Sequence, residues 1–286
     1  MPTDVRAESL CCSCFRFVFG GNADNCGTWM DKMGSSSLAG NKGRPSSPRD
    51  GSAVELVGLS YACVRTLSQL GPEKYKYQEV PVFGSLEVWA DTIRANFDKY
   101  FWVGSQAGAE VEPHPHLVSA VNMFKDSVGS SGEYTDYQLR CNYVIPLALC
   151  PDISSHARPA LQTVTDRLLG PLGLATLQPG DWAYRGEYDN TNQSSDPSIA
   201  QGANYHQGPE WVWPVGFYLR ALLHLQTPQS EDLGLVRKVL ARMFSHLASS
   251  DWMGKLCPVC IRDYRKLGDK RKITIFLIFL PQVCQS

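Results

Sequence analysis

Gly202–Leu225 reads GANYHQGPEWVWPVGFYLRALLHL, and its two halves differ sharply. Asn204, His206, Gln207 and Glu210 come first, with Trp211 and Trp213 beside them. Phe217, Leu219, Leu222, Leu223 and Leu225 then recur at the spacing of a buried helix. Pro209 suits a first helical position, where its missing N–H costs nothing. Glu210 would then stand at a helix N-terminus, whose partial positive charge favours an ionised carboxylate. Pro214 offers the other start, at Trp213. Either start leaves a carboxylate at a loop–helix junction against indole rings. Pyranose rings carry apolar faces and hydroxyl rims, so this combination suits a sugar-cleaving site. It equally suits a capping residue beside two core tryptophans.

A second stretch of the same character lies near the N-terminus. Asn22–Gly34, NADNCGTWMDKMG, sets Asp31 among Trp29, Met30 and Met33. Glycoside hydrolysis uses two carboxyl groups facing each other across the bond, one protonated and one ionised. Asp31 and Glu210 are the candidate pair.

The totals narrow the field. A chain of 286 residues suffices for one large domain with a substantial core. Lys and Arg number 27 against 28 Asp and Glu, a net charge of −1, which provides no basic field for nucleic acid. The 10 cysteines show no recurring spacing, and no secretory signal opens the sequence. They are expected to be reduced thiols of a cytosolic protein. No apolar stretch approaches the ~20 residues of a membrane helix. Cys11, Cys12 and Cys14, the lone pair Cys257 and Cys260, and His114-Pro115-His116 lack matching ligands at metal spacing, so no metal site is expected.

Helical periodicity dominates the rest. Ser52 and Glu55 have capping-box spacing for a helix through Leu70, with Val54, Val57, Tyr61 and Val64 on one face. Ser85 caps a second helix, with Leu86, Trp89, Ile93, Phe97 and Phe101 inward. A third starts at Ser155 and turns Ala157, Ala160, Leu161, Val164 and Leu168 inward. Ser230 caps a fourth, with Leu233, Val236, Val239, Leu240, Met243 and Leu247 inward. Phe15–Phe19 reads as a short strand, and Asn142–Cys150 as an apolar run broken by Pro146. Asp181–Gly202 is a loop long enough to be functional. The fold class is therefore all-α.

Six short words occur in a particular order: GGNADNCGTWMDKMG, PRDGSAVELVG, DYQLR, LLGPLG, YDN and NYHQGPEW. In that order they resemble the C-terminal glucosidase domain of eukaryotic glycogen debranching enzymes. The resemblance covers residues 17–252, leaving 1–16 as a divergent N-terminal segment and 253–286 as a divergent C-terminal tail. It implies an incomplete α/α toroid of six hairpins with long active-site loops. The implied reaction is inverting hydrolysis of α-1,6-linked glucose at glycogen branch stubs, with Asp31 as acid and Glu210 as base. Trp29, Arg49, Asp50, Asp136, Arg140, Tyr188, His206, Trp211 and Trp213 are the implied substrate-binding residues. No cofactor is implied, the partner is glycogen or a branched limit dextrin, and the location is the cytoplasm. The separate glucanotransferase activity of such enzymes is not expected here. The alternatives are an inactive glycogen-binding or interaction fragment and an unstable truncated product.

Overall fold

The computed structural model describes residues 17–71, 73–74, 76–77, 79–80, 84–105, 112–225 and 229–249. The expectations for Cys11–Cys14, Cys257–Cys260 and residues 253–286 lie outside them. Helices dominate, and the strands are two-residue segments in antiparallel pairs. β1 (Ser52–Ala53) pairs with β6 (Ser127–Val128), and β2 (Glu79–Val80) with β3 (Gly84–Ser85). β4 (Trp102–Val103) pairs with β5 (Met123–Phe124), and β7 (Leu174–Ala175) with β8 (Glu210–Trp211). The fold is mostly α, with small sheets that pin loops to helix ends.

Helix α1 (Val54–Gln69) buries Val54, Val57, Tyr61 and Val64, the stripe its periodicity predicts. Its start differs from the sequence reading. Ser52 belongs to β1, Ala53 is the N-cap without a side-chain hydrogen bond, and Glu55 pairs with an arginine. A buried cation three residues ahead of β1 outcompetes the local capping box. Helix α2 (Leu86–Phe101) begins as expected, with the Ser85 hydroxyl accepting from the Val88 N–H at 3.2 Å. A short α3 (Glu133–Asp136) follows β6.

The run containing Pro146 is not broken. A 3₁₀ turn, Cys141–Tyr143, feeds α4 (Val144–Leu149), with Pro146 inside the first turn. There the proline's missing N–H has no helical acceptor to lose. Helix α5 (Ala157–Arg167) starts two residues later than Ser155, and Ala160, Leu161 and Val164 are buried. Helix α6 is Trp213–Leu223, with Val212 as N-cap. Helix α7 (Ser230–Ser249) starts at Ser230 itself, and its buried stripe is narrower than the sequence suggests. Val236 and Val239 are buried, whereas Leu233 and Leu240 are exposed at 40% and 38%. Phe17 is buried and Gly20 bridges to Gly51, but no strand forms over the described part of Phe15–Phe19.

The packing order is a row: α1 on α4, and α4 on α6. Helix α2 leans on α1, while α5 and α7 lean on α6. Gly58 makes the first contact close, because a Cβ there would collide with the Pro146 ring of α4. This row sets the site. Glu55 is the second residue of α1, Asn142 lies two residues ahead of α4, and Trp213 opens α6. A continuous set of contacts joins all three, so the N-terminal ends of the row converge at one place.

Candidate active site

A buried, internally neutral charge cluster forms the floor. The Arg49 guanidinium donates to both Glu55 oxygens and to Asp126 Oδ2. It also reaches Thr28 Oγ1 at 3.0 Å. Arg140 Nε stands 3.6 Å from the same Asp126 oxygen. The other Arg140 nitrogens donate to the carbonyls of His206 at 2.7 Å and Thr176 at 3.1 Å, and to the side chains of Gln138 at 2.9 Å and Gln207 at 2.7 Å. Burial works against the Arg49 charge, but Asp126 and Glu55 outweigh it and raise its pKa above the ordinary arginine value. Burial lowers the pKa of Arg140, with Asp126 opposing and Arg49 reinforcing the shift. Two cations and two carboxylates thus share one dry site, where each needs the others.

Asp50 and Asp136 hold the adjacent turn. Asp50 accepts from the Ser131 N–H at 3.1 Å, and its carbonyl accepts from the Ser130 hydroxyl at 2.9 Å. Asp136 accepts from the Ser127 hydroxyl at 2.8 Å and from the Gly129 N–H at 3.0 Å. Burial raises the Asp136 pKa, with those hydrogen bonds pulling the other way. Gly51, at φ +81°, permits the chain to pass here, because a Cβ would stand 2.7 Å from the Val128 carbonyl oxygen.

Above this floor the aromatic residues gather. The Trp29 ring stands edge-on to Trp213 at 4.8 Å, His206 at 5.1 Å and Trp211 at 5.4 Å between centroids. His206 stacks on Trp211 at 5.2 Å, and Tyr205 packs against both and against Tyr188. His206 is 1% exposed. Burial, then Arg140, Arg49 and Lys32, lowers its pKa to about 3, so the ring is neutral at physiological pH. Asn204 is buried and donates to the carbonyls of Arg185 at 2.8 Å and Glu187 at 2.6 Å, which ties the 181–202 loop to the cluster.

Glu210 is not at a helix N-terminus. It lies in β8 opposite Ala175, and α6 begins at Trp213, the later of the two starts that the prolines allow. Side chains alternate across a strand, so Trp211 faces the aromatic cluster and Glu210 the other side. There Glu210 helps line a cavity of about 430 Å³ with Arg167, Leu169, Gly170, Tyr184 and Arg242. The carboxylate lies directly over Gly170, where any Cβ would overlap it, and a Cβ at Gly173 would stand 2.9 Å from Glu210 Cβ. The two glycines of LLGPLG thus make room for this side chain.

Asp31 is exposed and is not among the residues lining that cavity. Its loop is nonetheless anchored. Trp29 donates its indole N–H to Asn142 Oδ1 at 2.8 Å, and Met30 is 1% exposed. The structure therefore gathers Trp29, Tyr188, His206, Trp211 and Trp213 in one cluster and Arg49 and Arg140 in another. Asp50 and Asp136 brace the neighbouring turn. Asp126, Asn142, Gln138 and Tyr205 were missed in the sequence, while Gln207 was noted there without a role. Tyr205 directly precedes His206, which was signal enough; Asp126 and Asn142 acquire meaning only from the fold.

Indole rings and a buried charge cluster thus gather where the N-terminal ends of three helices meet. The family model described as amylo-alpha-1,6-glucosidase matches residues 14–266, and the chain belongs to that family. Among its relatives is a glycogen debranching enzyme from Saccharomyces cerevisiae, 38% identical over 217 residues. The match covers 72% of this chain and 14% of the yeast protein, so the chain spans only a small part of that relative's length. No described helix is long and apolar enough to cross a membrane.

Proposed function

We propose that this chain supplies the glucosidase chemistry of glycogen debranching, releasing the α-1,6-linked glucose of a branch stub with inversion. One observation carries the reading. Trp29, two residues before Asp31, packs on Trp211, the residue after Glu210. Two carboxylate-bearing stretches far apart in sequence therefore meet through their indoles. Asp31 protonates the departing glycosidic oxygen, and Glu210 activates the water that attacks the opposite face. An inverting pair works at a separation of ~6.5–9.5 Å, which leaves room for that water. The cavity beside Glu210 takes one sugar unit. Trp29, Tyr188, His206, Trp211 and Trp213 offer the substrate an aromatic surface on the other face of β8, and the buried Arg49, Asp50 and Arg140, with Asp136, hold that surface and its neighbouring turn in place.

The chemistry calls for no metal or organic cofactor. The row α1–α4–α6, with α2, α5 and α7 outside it, is read as the later part of an incomplete six-hairpin α/α toroid. The substrate is glycogen or a branched limit dextrin in the cytoplasm. The test is anomer-resolved glucose release from a branch-stub dextrin. β-Glucose that disappears in Asp31→Asn and in Glu210→Gln supports the reading. Saturable dextrin binding without glucose release replaces it with a binding-only role.

A further inference from the structure

Three consecutive residues immediately ahead of Asp31 are each attached to the buried charge cluster, and none of these attachments is made by Asp31 itself. Thr28 accepts from Arg49 at 3.0 Å, and Trp29 donates to Asn142 at 2.8 Å. The thioether of Met30 is approached by Asn142 Nδ2 at 3.7 Å and by Arg140 at 3.8 Å. All three lines run to one carboxylate. Asn142 Nδ2 donates to Asp126 Oδ1 at 2.7 Å, Arg49 donates to Asp126 Oδ2, and Arg140 stands beside that same oxygen. Asp126 and Asn142 are each 1% exposed, while the residues on either side of this anchor are open to solvent: Asn22–Asn25 before it and Asp31 after it.

The amide of Asn142 has a direction here. Its NH₂ faces the carboxylate, so its oxygen must face the indole N–H, and flipping it would set oxygen against Asp126. The amide is the one link that translates a buried negative charge into a fixed indole. Trp29 in turn sets the backbone two residues ahead of Asp31 and the edge that Trp211 and Trp213 pack on.

We propose that Asp126 and Asn142 are positioning residues: a buried Asp126–Asn142–Trp29 relay that fixes the Asp31 loop and the indole wall in the geometry for glycoside cleavage. The proposal rests on the glucosidase reading for its catalytic consequence, but the relay itself is visible without turnover. Neither residue reaches the sugar; both act through Trp29.

The experiment uses the full chain with Asn142→Leu, Trp29→Phe and the double variant. Leucine keeps the volume and accepts nothing; phenylalanine keeps a ring and loses the N–H. Asp126 itself is left alone, because removing it would strand two buried cations. Hydrogen exchange is read over residues 28–34, beside thermal unfolding and kinetics on a branch-stub dextrin. Exchange at 28–34 is expected to rise about tenfold or more, a shift of the local opening equilibrium. The rest of the chain is expected to keep its protection. In Asn142→Leu kcat should fall ~10- to 100-fold, as for an ångström-scale misplacement, with KM within about twofold of the parent. The double variant should be no worse than the worse single one, since both break the same bond. Unchanged exchange over 28–34 in Asn142→Leu overturns the relay, as does strict additivity of the two substitutions. An inactive parent chain whose 28–34 segment loosens in the variants refutes the glucosidase reading and keeps the relay. Should Asn142→Leu fail to fold, Trp29→Phe alone decides by the same exchange criterion.

Discussion

Gly170→Ala isolates the placement of the Glu210 carboxylate from everything else in the site. Gly170 has no left-handed φ to lose, so its backbone accepts alanine. The obstacle is the Glu210 carboxylate, whose carbon and both oxygens occupy the space a Cβ needs. A carboxylate is the far end of a flexible side chain. It can be displaced while the fold survives. Restoring ordinary carbon–oxygen contact requires a displacement of roughly 1 Å or more, and an error of that size at a reacting group costs about a hundredfold in rate. A hundredfold loss corresponds to about 2.7 kcal/mol of barrier. The assay is glucose release from a branch-stub dextrin under saturating conditions, with thermal unfolding measured in parallel. Gly234→Ala, inside α7 with nothing within 4 Å of the added methyl, is the control and should leave kcat unchanged. A Gly170→Ala protein that keeps full kcat would show that the carboxylate position over Gly170 has no part in the chemistry.

Other perturbations test the frame. Arg49→Met leaves Glu55 and Asp126 buried without their shared cation, so denaturant unfolding should show a loss of about 3–5 kcal/mol. Gly58→Ala forces the α1–α4 contact apart against the Pro146 ring, and overpacking of this kind is expected to lower stability by about 1–3 kcal/mol. His206 carries a pKa lowered to about 3 in the folded protein. The unfolded chain binds the proton first, near the ordinary histidine value of about 6.5. Its contribution is therefore fully present above about pH 6.5 and is lost as pH falls toward 3, at about 1.4 kcal/mol per pH unit for one proton. His206→Phe should flatten that slope in pH-dependent unfolding; an unchanged slope would assign the acid sensitivity elsewhere.

How much of this was legible beforehand depends on the range of the interactions involved. The buried stripes of α1 and α5 follow from spacing within one helix, and the sequence displays that directly. Where a distant partner intervenes, local reading fails. The capping box at Ser52 and Glu55 yields to Arg49 and Asp126. The apparent break at Pro146 vanishes because the proline falls in a first turn. Leu233 and Leu240 have the right spacing on α7, yet no described residue covers them enough to bury them. The order of six short words was sufficient to identify the family, since it needs no knowledge of contacts.

From the sequence alone came the family, the mostly helical class and the candidate residues: two carboxylates beside tryptophans, with arginines and a histidine in support. Tertiary structure alone decided their relations. It put Glu210 in a strand over two glycines and packed Trp29 between Trp211 and Trp213. It also built a neutral cluster around Asp126, which nothing in its neighbours announces. The reason is physical. Propensity and periodicity act within a few residues and are written along the chain, whereas Arg49 finds Asp126 77 positions away and Trp29 meets Trp211 from the far end of the domain, partners that only the folded packing brings together.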